Sequence, residues 1–334
     1  MKFENALQDY GGKRILVTGG AGCIGSNLVR ALIKADAEKV TVLDDFSSGP
    51  LWNLPNHPQL FLVEGSVLSE EDLKKAFSAR PQYVFHLAAH FANQSSVDDP
   101  ETNLMVNGLG TLKVLQHSHI ADVEKFVFAS SGCSVYGNQA PLPLKEDFVS
   151  LHLDTPYQIH KLLGELHCNF FSDYYGLPVV IMRYFNVYGP GEVPGKYRNV
   201  IPNFVWWALH KQRLPITGTG EETRDFTFVD DIVDCTLKAG VIPEALGEAI
   251  NIASETETKV IDLANMINEL TGNDNGVRFV ARRKWDKIVR RRASIEKARK
   301  ILGYEPKIEI KEGLKKTVDW FLQNKDKIEK SVRF

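Results

Sequence analysis

No apolar run in this chain approaches the roughly 20 residues needed to span a bilayer, which argues against a membrane protein. Cysteine is scarce. Cys23, Cys133, Cys168 and Cys235 are scattered through 334 residues, match no metal-ligand spacing and build no disulfide framework. His86, His90, His117, His152, His160 and His167 supply no metal spacing either. An excess of one charge is also missing. The formal net charge of -2 excludes a global bias towards nucleic acid or acidic membrane. There is no internal repeat and no low-complexity tract. Residues 1–12 are mixed polar and lack the apolar segment of a signal peptide. With thiols kept reduced, the cytoplasm is the expected location.

What remains is an ordinary globular composition, 43% hydrophobic, long enough for ample core. Short β-rich runs at 14–18, 40–43, 60–63, 83–87, 125–129 and 179–184 read as buried strands. Between them, 24–35, 70–79, 102–119 and 155–175 read as helices. Near-continuous apolar strands separated by helices imply an α/β protein with a parallel sheet covered on both faces. From about Gly189, turns rich in Gly and Pro break the pattern into smaller pieces. Helices are expected there at 200–210, 231–240, 260–271 and 310–324, in a smaller C-terminal α/β lobe against the carboxyl edge of the sheet. The expected division is 1–188 for the first domain and 189–334 for the lobe, with part of 225–255 packing back.

The segment Ile15-Leu16-Val17-Thr18-Gly19-Gly20-Ala21-Gly22-Cys23-Ile24-Gly25 is a strand, a glycine turn and a helix start. Such glycines permit a tight turn, close approach of backbone to phosphate and tight helix–strand packing. The helix N-terminus then offers free N–H groups to a pyrophosphate. Asp44 follows at the end of the next strand, where a carboxylate accepts bonds from ribose hydroxyls and repels a 2′-phosphate. The pattern is Rossmann-like, a doubly wound parallel sheet binding NAD in preference to NADP.

Tyr157 and Lys161 lie four residues apart in a helical stretch, so both project from one face. A nearby cation favours the charged form of an acid. Lys161 is therefore expected to lower the Tyr157 pKa from its ordinary value of about 10. A phenol tuned towards neutrality can take a proton from an alcohol and return it.

Together these motifs resemble the extended short-chain dehydrogenase/reductases that act on nucleotide sugars. The resemblance continues through His86-Leu87-Ala88-Ala89, Asn107-Gly108-Leu109-Gly110-Thr111, Arg183-Tyr184-Phe185-Asn186-Val187-Tyr188-Gly189-Pro190 and Arg224-Asp225-Phe226-Thr227-Phe228-Val229-Asp230-Asp231. It covers nearly the whole chain, and its nearest look is that of the UDP-glucose 4-epimerases. It implies a tightly bound NAD held by Gly19, Gly22, Cys23, Ile24, Gly25, Asp44, Ser66, Val67, Leu87, Ala88 and Ala89, with Tyr157 and Lys161. It implies a nucleotide-sugar substrate, UDP-linked, contacted by Ser131, Tyr157, Asn186, Asn199, Val200, Arg224 and Arg283. The resemblance also implies a homodimer, built on helices 102–119 and 155–175, with no nucleic acid, membrane or metal partner.

The catalytic trio implied is Tyr157, Lys161 and a hydroxyl at the end of the fifth strand. In Ala129-Ser130-Ser131-Gly132-Cys133-Ser134-Val135-Tyr136-Gly137 that run is one residue longer than usual. Counting from the strand selects Ser131; counting back from Tyr136 selects Gly132, and Ser134 is the alternative. Dehydratases of this kind carry an acid after the catalytic hydroxyl, and decarboxylases a Glu nearby. Gly132 and Cys133 can serve as neither, which favours a 4-epimerase over a 4,6-dehydratase. A 2-epimerase, a 4-keto reductase and a non-catalytic nucleotide-binding regulator are the other readings. The basic run 282–300, centred on Arg290-Arg291-Arg292, suggests that one of its arginines recognises an acidic sugar such as a uronate.

Overall fold

The computed structural model describes residues 8–334, so residues 1–7 of the polar stretch 1–12 lie outside the described residues. Six strands run through residues 14–184: β1 (Arg14–Thr18), β2 (Lys39–Asp44), β3 (Leu60–Glu64), β4 (Tyr83–His86), β5 (Lys125–Ser131) and β6 (Val179–Tyr184). A seventh, Ala249–Ile252, comes from the C-terminal half and pairs with β6. All neighbouring pairs are parallel, in the order Ala249–Ile252, β6, β5, β4, β1, β2, β3. The chain is α/β with a Rossmann-like, doubly wound sheet. Strand order reverses between β1 and β4, and ligands of such sheets bind in the crevice at that point.

Alternation along the strands feeds two cores. Ile15 and Val17 face α1 (Cys23–Lys34) together with Leu28, Val29 and Leu32. Leu16 faces the other way, with Leu73 and Phe77 of α2 (Glu70–Phe77). A period of two with both faces covered explains why these strands read as continuous apolar runs. β3 lies at the sheet edge, and there Phe61 is exposed.

The expected helix 102–119 is not uniform. A short α3 (Asn93–Asp98) precedes α4 (Pro100–Leu104), which Asp99 caps by accepting from Thr102 N at 3.1 Å. A π-helical turn, Met105–Gly110, then interrupts the path to α5 (Thr111–Ile120). Its Asn107 Oδ1 accepts from His90 N at 2.9 Å, and its Nδ2 donates to His90 O at 3.2 Å. The turn thus fastens the loop after β4, consistent with the tendency of π turns to occur at functional sites.

α6 (Pro156–Tyr175) starts and stops on local signals. Thr155 caps it, Pro156 occupies its first turn, and Gly176 ends it at φ 69°. α7 (Val200–Leu209) and α8 (Val229–Val241) follow, with Ile232 and Val233 of α8 joining the core formed by α1. Helices Val260–Thr271 and Ile310–Gln323 fall at the expected positions. Asn93–Asp98, Glu296–Leu302 and Lys325–Ser331 were not expected, because helices of about two turns show little periodicity.

Candidate active site

A cavity of about 550 Å³ opens along the carboxyl ends of the strands, from the turn after β1 to the start of α6. Gly19, Gly22, Cys23, Ile24 and Gly25 line one end of it. A Cβ on Gly25 would stand 2.2 Å from Gly19 O, so only glycine lets α1 start this close to the turn. Gly22 meets only Gly19 O, at 3.4 Å, and its other side is open. Asp44 is buried at the end of β2. Its Oδ2 accepts from Ala21 N at 2.8 Å and its Oδ1 from Phe46 N at 2.9 Å. It therefore fastens the glycine turn, and spare lone pairs remain for a ribose hydroxyl. Ser66, Val67, Leu87, Ala88 and Ala89 also line the cavity. An open glycine turn at a helix N-terminus, with a carboxylate beyond it, fits a dinucleotide.

At the other end the structure brings Tyr157, Lys161 and Ser131 together on the cavity wall. The Lys161 ammonium donates to Ala129 O at 2.8 Å, which ties α6 to the end of β5. Gly164 allows the close approach, since a Cβ there would stand 2.4 Å from the Phe128 ring. The expectation that Lys161 lowers the Tyr157 pKa is overturned. Burial pushes the phenol well above its ordinary value, Cys133 adds to the rise, and only the Ser131 hydroxyl opposes it. Burial also pulls Lys161 down to about 8. Both groups lose water, and the lysine is turned to a carbonyl instead of the phenol. Desolvation therefore outweighs their mutual attraction.

β5 continues in register with β6 as far as Ser131, opposite Tyr184. Ser130 points to Glu165 and Ser131 to Tyr157. Gly132 lies against Phe185, where a Cβ would be 1.8 Å from the ring. Beyond Ser131 the chain leaves the strand in a turn through Gly132 to Gly137. Ser134 also lines the cavity, and its buried Oγ has no hydrogen-bond partner among the described residues.

The residues expected on the sugar-nucleotide side divide. Asn186 and Asn199 line the cavity. Asn186 stands at φ 31°, and its Nδ2 donates to Asp225 O at 3.1 Å. Val200, Arg224 and Arg283 do not line it. Arg224 is held by Asp286 at 3.3 Å and by its neighbour's carbonyl at 2.9 Å. Arg283 is exposed over the Trp285 ring. Arg290, at the centre of the basic run, is taken by Glu257 at 2.5 Å on the surface. His86 is buried between the Thr18 and Thr111 hydroxyls and held at about 3 by burial, so it stays neutral.

Several cavity residues carry no motif. Ser48, Glu192 and Arg198 come from loops and meet only in the fold. Arg198 donates to the Ser48 hydroxyl and carbonyl, joining the loop after β2 to the loop before α7.

The NAD dependent epimerase/dehydratase family model matches residues 15–253. The chain is 35% identical to the UDP-glucose 4-epimerase of Mycolicibacterium smegmatis, over 92% of this chain and 98% of that protein. It is 34% identical to the UDP-N-acetyl-alpha-D-glucosaminuronate decarboxylase of Bacillus cytotoxicus, over 92% and 98%. Among solved structures, the epimerase Mth375 of Methanothermobacter thermautotrophicus superposes with a TM-score of 0.99, at 54% identity over 100% and 99% of the two chains. This chain belongs to the NAD dependent epimerase/dehydratase family and is an enzyme of that family with NAD as its cofactor.

Proposed function

We propose that this enzyme is a nucleotide-sugar 4-epimerase acting on a UDP-hexose or UDP-uronate through a transient 4-keto sugar. One observation carries the reading: Tyr157 and Ser131 share the cavity wall, and no carboxylate follows Ser131 at 132 or 133. Bound NAD supplies a reversible hydride acceptor for the sugar carbon. The glycine turn and Asp44 would hold its pyrophosphate and ribose.

Burial holds the Tyr157 phenol protonated, so base action needs the positive charges of NAD+ and Lys161 beside it. The phenolate they favour would take the proton of the sugar 4-hydroxyl and later return it, while Ser131 orients that hydroxyl. Lys161 keeps α6 against β5 and, with a pKa near 8, remains largely cationic at neutral pH to offset the phenolate. Elimination of water needs an acid next to the catalytic hydroxyl, and Gly132 and Cys133 cannot serve. In this reading residues 1–188 hold the cofactor and 189–334 the sugar nucleotide, in a homodimer.

The test is product identification. The purified protein is incubated with UDP-, dTDP-, GDP- and CDP-sugars and the products are assigned by NMR. The expected result is C4 inversion of a UDP-sugar, with NAD retained and no net redox change. Release of carbon dioxide, or a 4-keto-6-deoxy product, would overturn the proposal.

A further inference from the structure

Glu192 is a carboxyl that the mechanism does not use, yet it lines the same cavity. It is 8% exposed. Its Oε1 accepts from Asn199 Nδ2 at 2.9 Å, whereas its Oε2 is buried with no hydrogen-bond partner among the described residues. The loop that carries it is firmly held. Asn27 Nδ2 donates to Pro190 O and Asn53 Nδ2 to Gly191 O, each at 2.8 Å. Asn203 exchanges two bonds with Gly195, at 2.8 and 3.0 Å. Glu192 therefore cannot easily swing its free oxygen out to water.

Its surroundings are set by two helix starts. Cys23 begins α1, and Asn199 stands just before α7 without a side-chain capping bond. The charged and titratable groups around the carboxyl are Arg198, engaged with Ser48, and the Cys23 thiol, with Asp230 of α8 beyond it. Helix starts of this kind receive phosphate. A buried carboxylate beside a phosphate would be a like-charge pair in low dielectric, which favours proton uptake by one of the two even with Arg198 nearby.

We propose that Glu192 takes up a proton when a nucleoside diphosphate binds, keeps it on Oε2 and donates a hydrogen bond through it to a phosphate oxygen. The carboxyl is thereby a neutral hydrogen-bond donor in the loaded enzyme, and its unpartnered oxygen gains its partner. Burial already raises its pKa to about 7, against the pull of Arg198 and Asn199, so the proton is available near neutrality. The diphosphate is the cofactor's if the α1 side is used, and the substrate's if the α7 side is. The proposal rests on the reading that this cavity holds both.

Calorimetry separates the two sources. NAD+ is titrated into the full chain freed of nucleotide, and UDP into the NAD-loaded protein. Each titration is run at pH 8 in two buffers of different ionisation enthalpy. Uptake approaching one proton per site with NAD+ assigns the contact to the cofactor; the same uptake with UDP assigns it to the substrate. The affinity of that ligand should weaken about tenfold per pH unit above the Glu192 pKa. In Glu192→Gln the amide donates permanently, so the uptake and the pH dependence should vanish while binding persists. Binding of both ligands without proton uptake in the wild type, or uptake that survives in Glu192→Gln, would overturn the proposal and leave the site assignment standing. Failure of both ligands to bind would instead remove the site assignment, and the proposal with it. The wild-type proton count needs no variant. Infrared difference spectra of the loaded wild type supply a further check, through the carbonyl band of a protonated carboxyl.

Discussion

Removing the Glu165 carboxylate would test what holds α6. Tyr157, Lys161 and Glu165 follow one another at four-residue steps on the buried face of α6. Arg183 of β6 grips Glu165 with two bonds, Nε to Oε1 at 3.0 Å and Nη2 to Oε2 at 2.8 Å. Ser130 at the end of β5 donates to the same carboxylate. Arg183 Nη1 also donates to the Tyr136 hydroxyl at 3.0 Å, and that hydroxyl donates to Asn251 Oδ1 at 2.6 Å. The paired side chains are 4% and 5% exposed. Burial opposes the guanidinium charge, and the bonds to Glu165 more than offset it. Glu165→Ala would leave that charge buried and unpaired, at a cost of about 3–5 kcal/mol. For a chain of this length each kcal/mol moves the melting temperature by about 1.4 °C, so a fall of roughly 4–7 °C is expected. Thermal melts of the wild type and Glu165→Ala measure it. A double variant, Glu165→Leu with Arg183→Met, should recover most of the loss, because no charge is then stranded. A single-variant fall under about 2 °C, or a double variant no more stable than the single, would refute the reasoning.

Four further outcomes are expected. Tyr157→Phe should keep NAD binding and lose most turnover, and Ser131→Ala should cost about tenfold to ten-thousandfold in kcat. If Ser134→Ala is the damaging change and Ser131→Ala is silent in steady-state assays, the hydroxyl assignment moves to Ser134. Lys161 titrates near 8 in the fold and near 10.5 when unfolded, so its penalty is present at neutral pH and is relieved as pH rises between those values. Wild type should therefore gain about 1 kcal/mol relative to Lys161→Met between about pH 7.5 and 9, read from urea midpoints; an unchanged difference contradicts the lysine shift. Leu166, Phe170 and Tyr174 on α6 and Leu104 and Met105 beside it are exposed apolar residues. A homodimer is expected in sedimentation, converted to monomer by Phe170→Glu; a monomeric wild type would count against it.

Local chemistry was the legible part. The glycine turn, Asp44 and the Tyr157–Lys161 step are short-range patterns, each within one element or one turn, and backbone geometry carries them straight into the fold. Strands β1 and β6 were readable to the residue because burial on both faces makes them continuous apolar runs. The helix over 102–119 was less so, because a π turn leaves no mark on the hydrophobic period that the 3.6-residue repeat does not also explain.

By itself the amino-acid order determined six of the seven sheet strands, the glycine turn and the residues brought to its far end, but not the edge strand Ala249–Ile252. Tertiary structure alone decided how those residues behave. Burial raised the proton affinity of Tyr157 and lowered that of Lys161, reversing the outcome that pairwise attraction suggests. The fold also turned Arg224 and Arg290 to Asp286 and Glu257, and it set Glu192 and Arg198 in the cavity wall. The physical reason is common to all of these. Desolvation and long-range pairing depend on what surrounds a side chain, and those neighbours are distant in the chain.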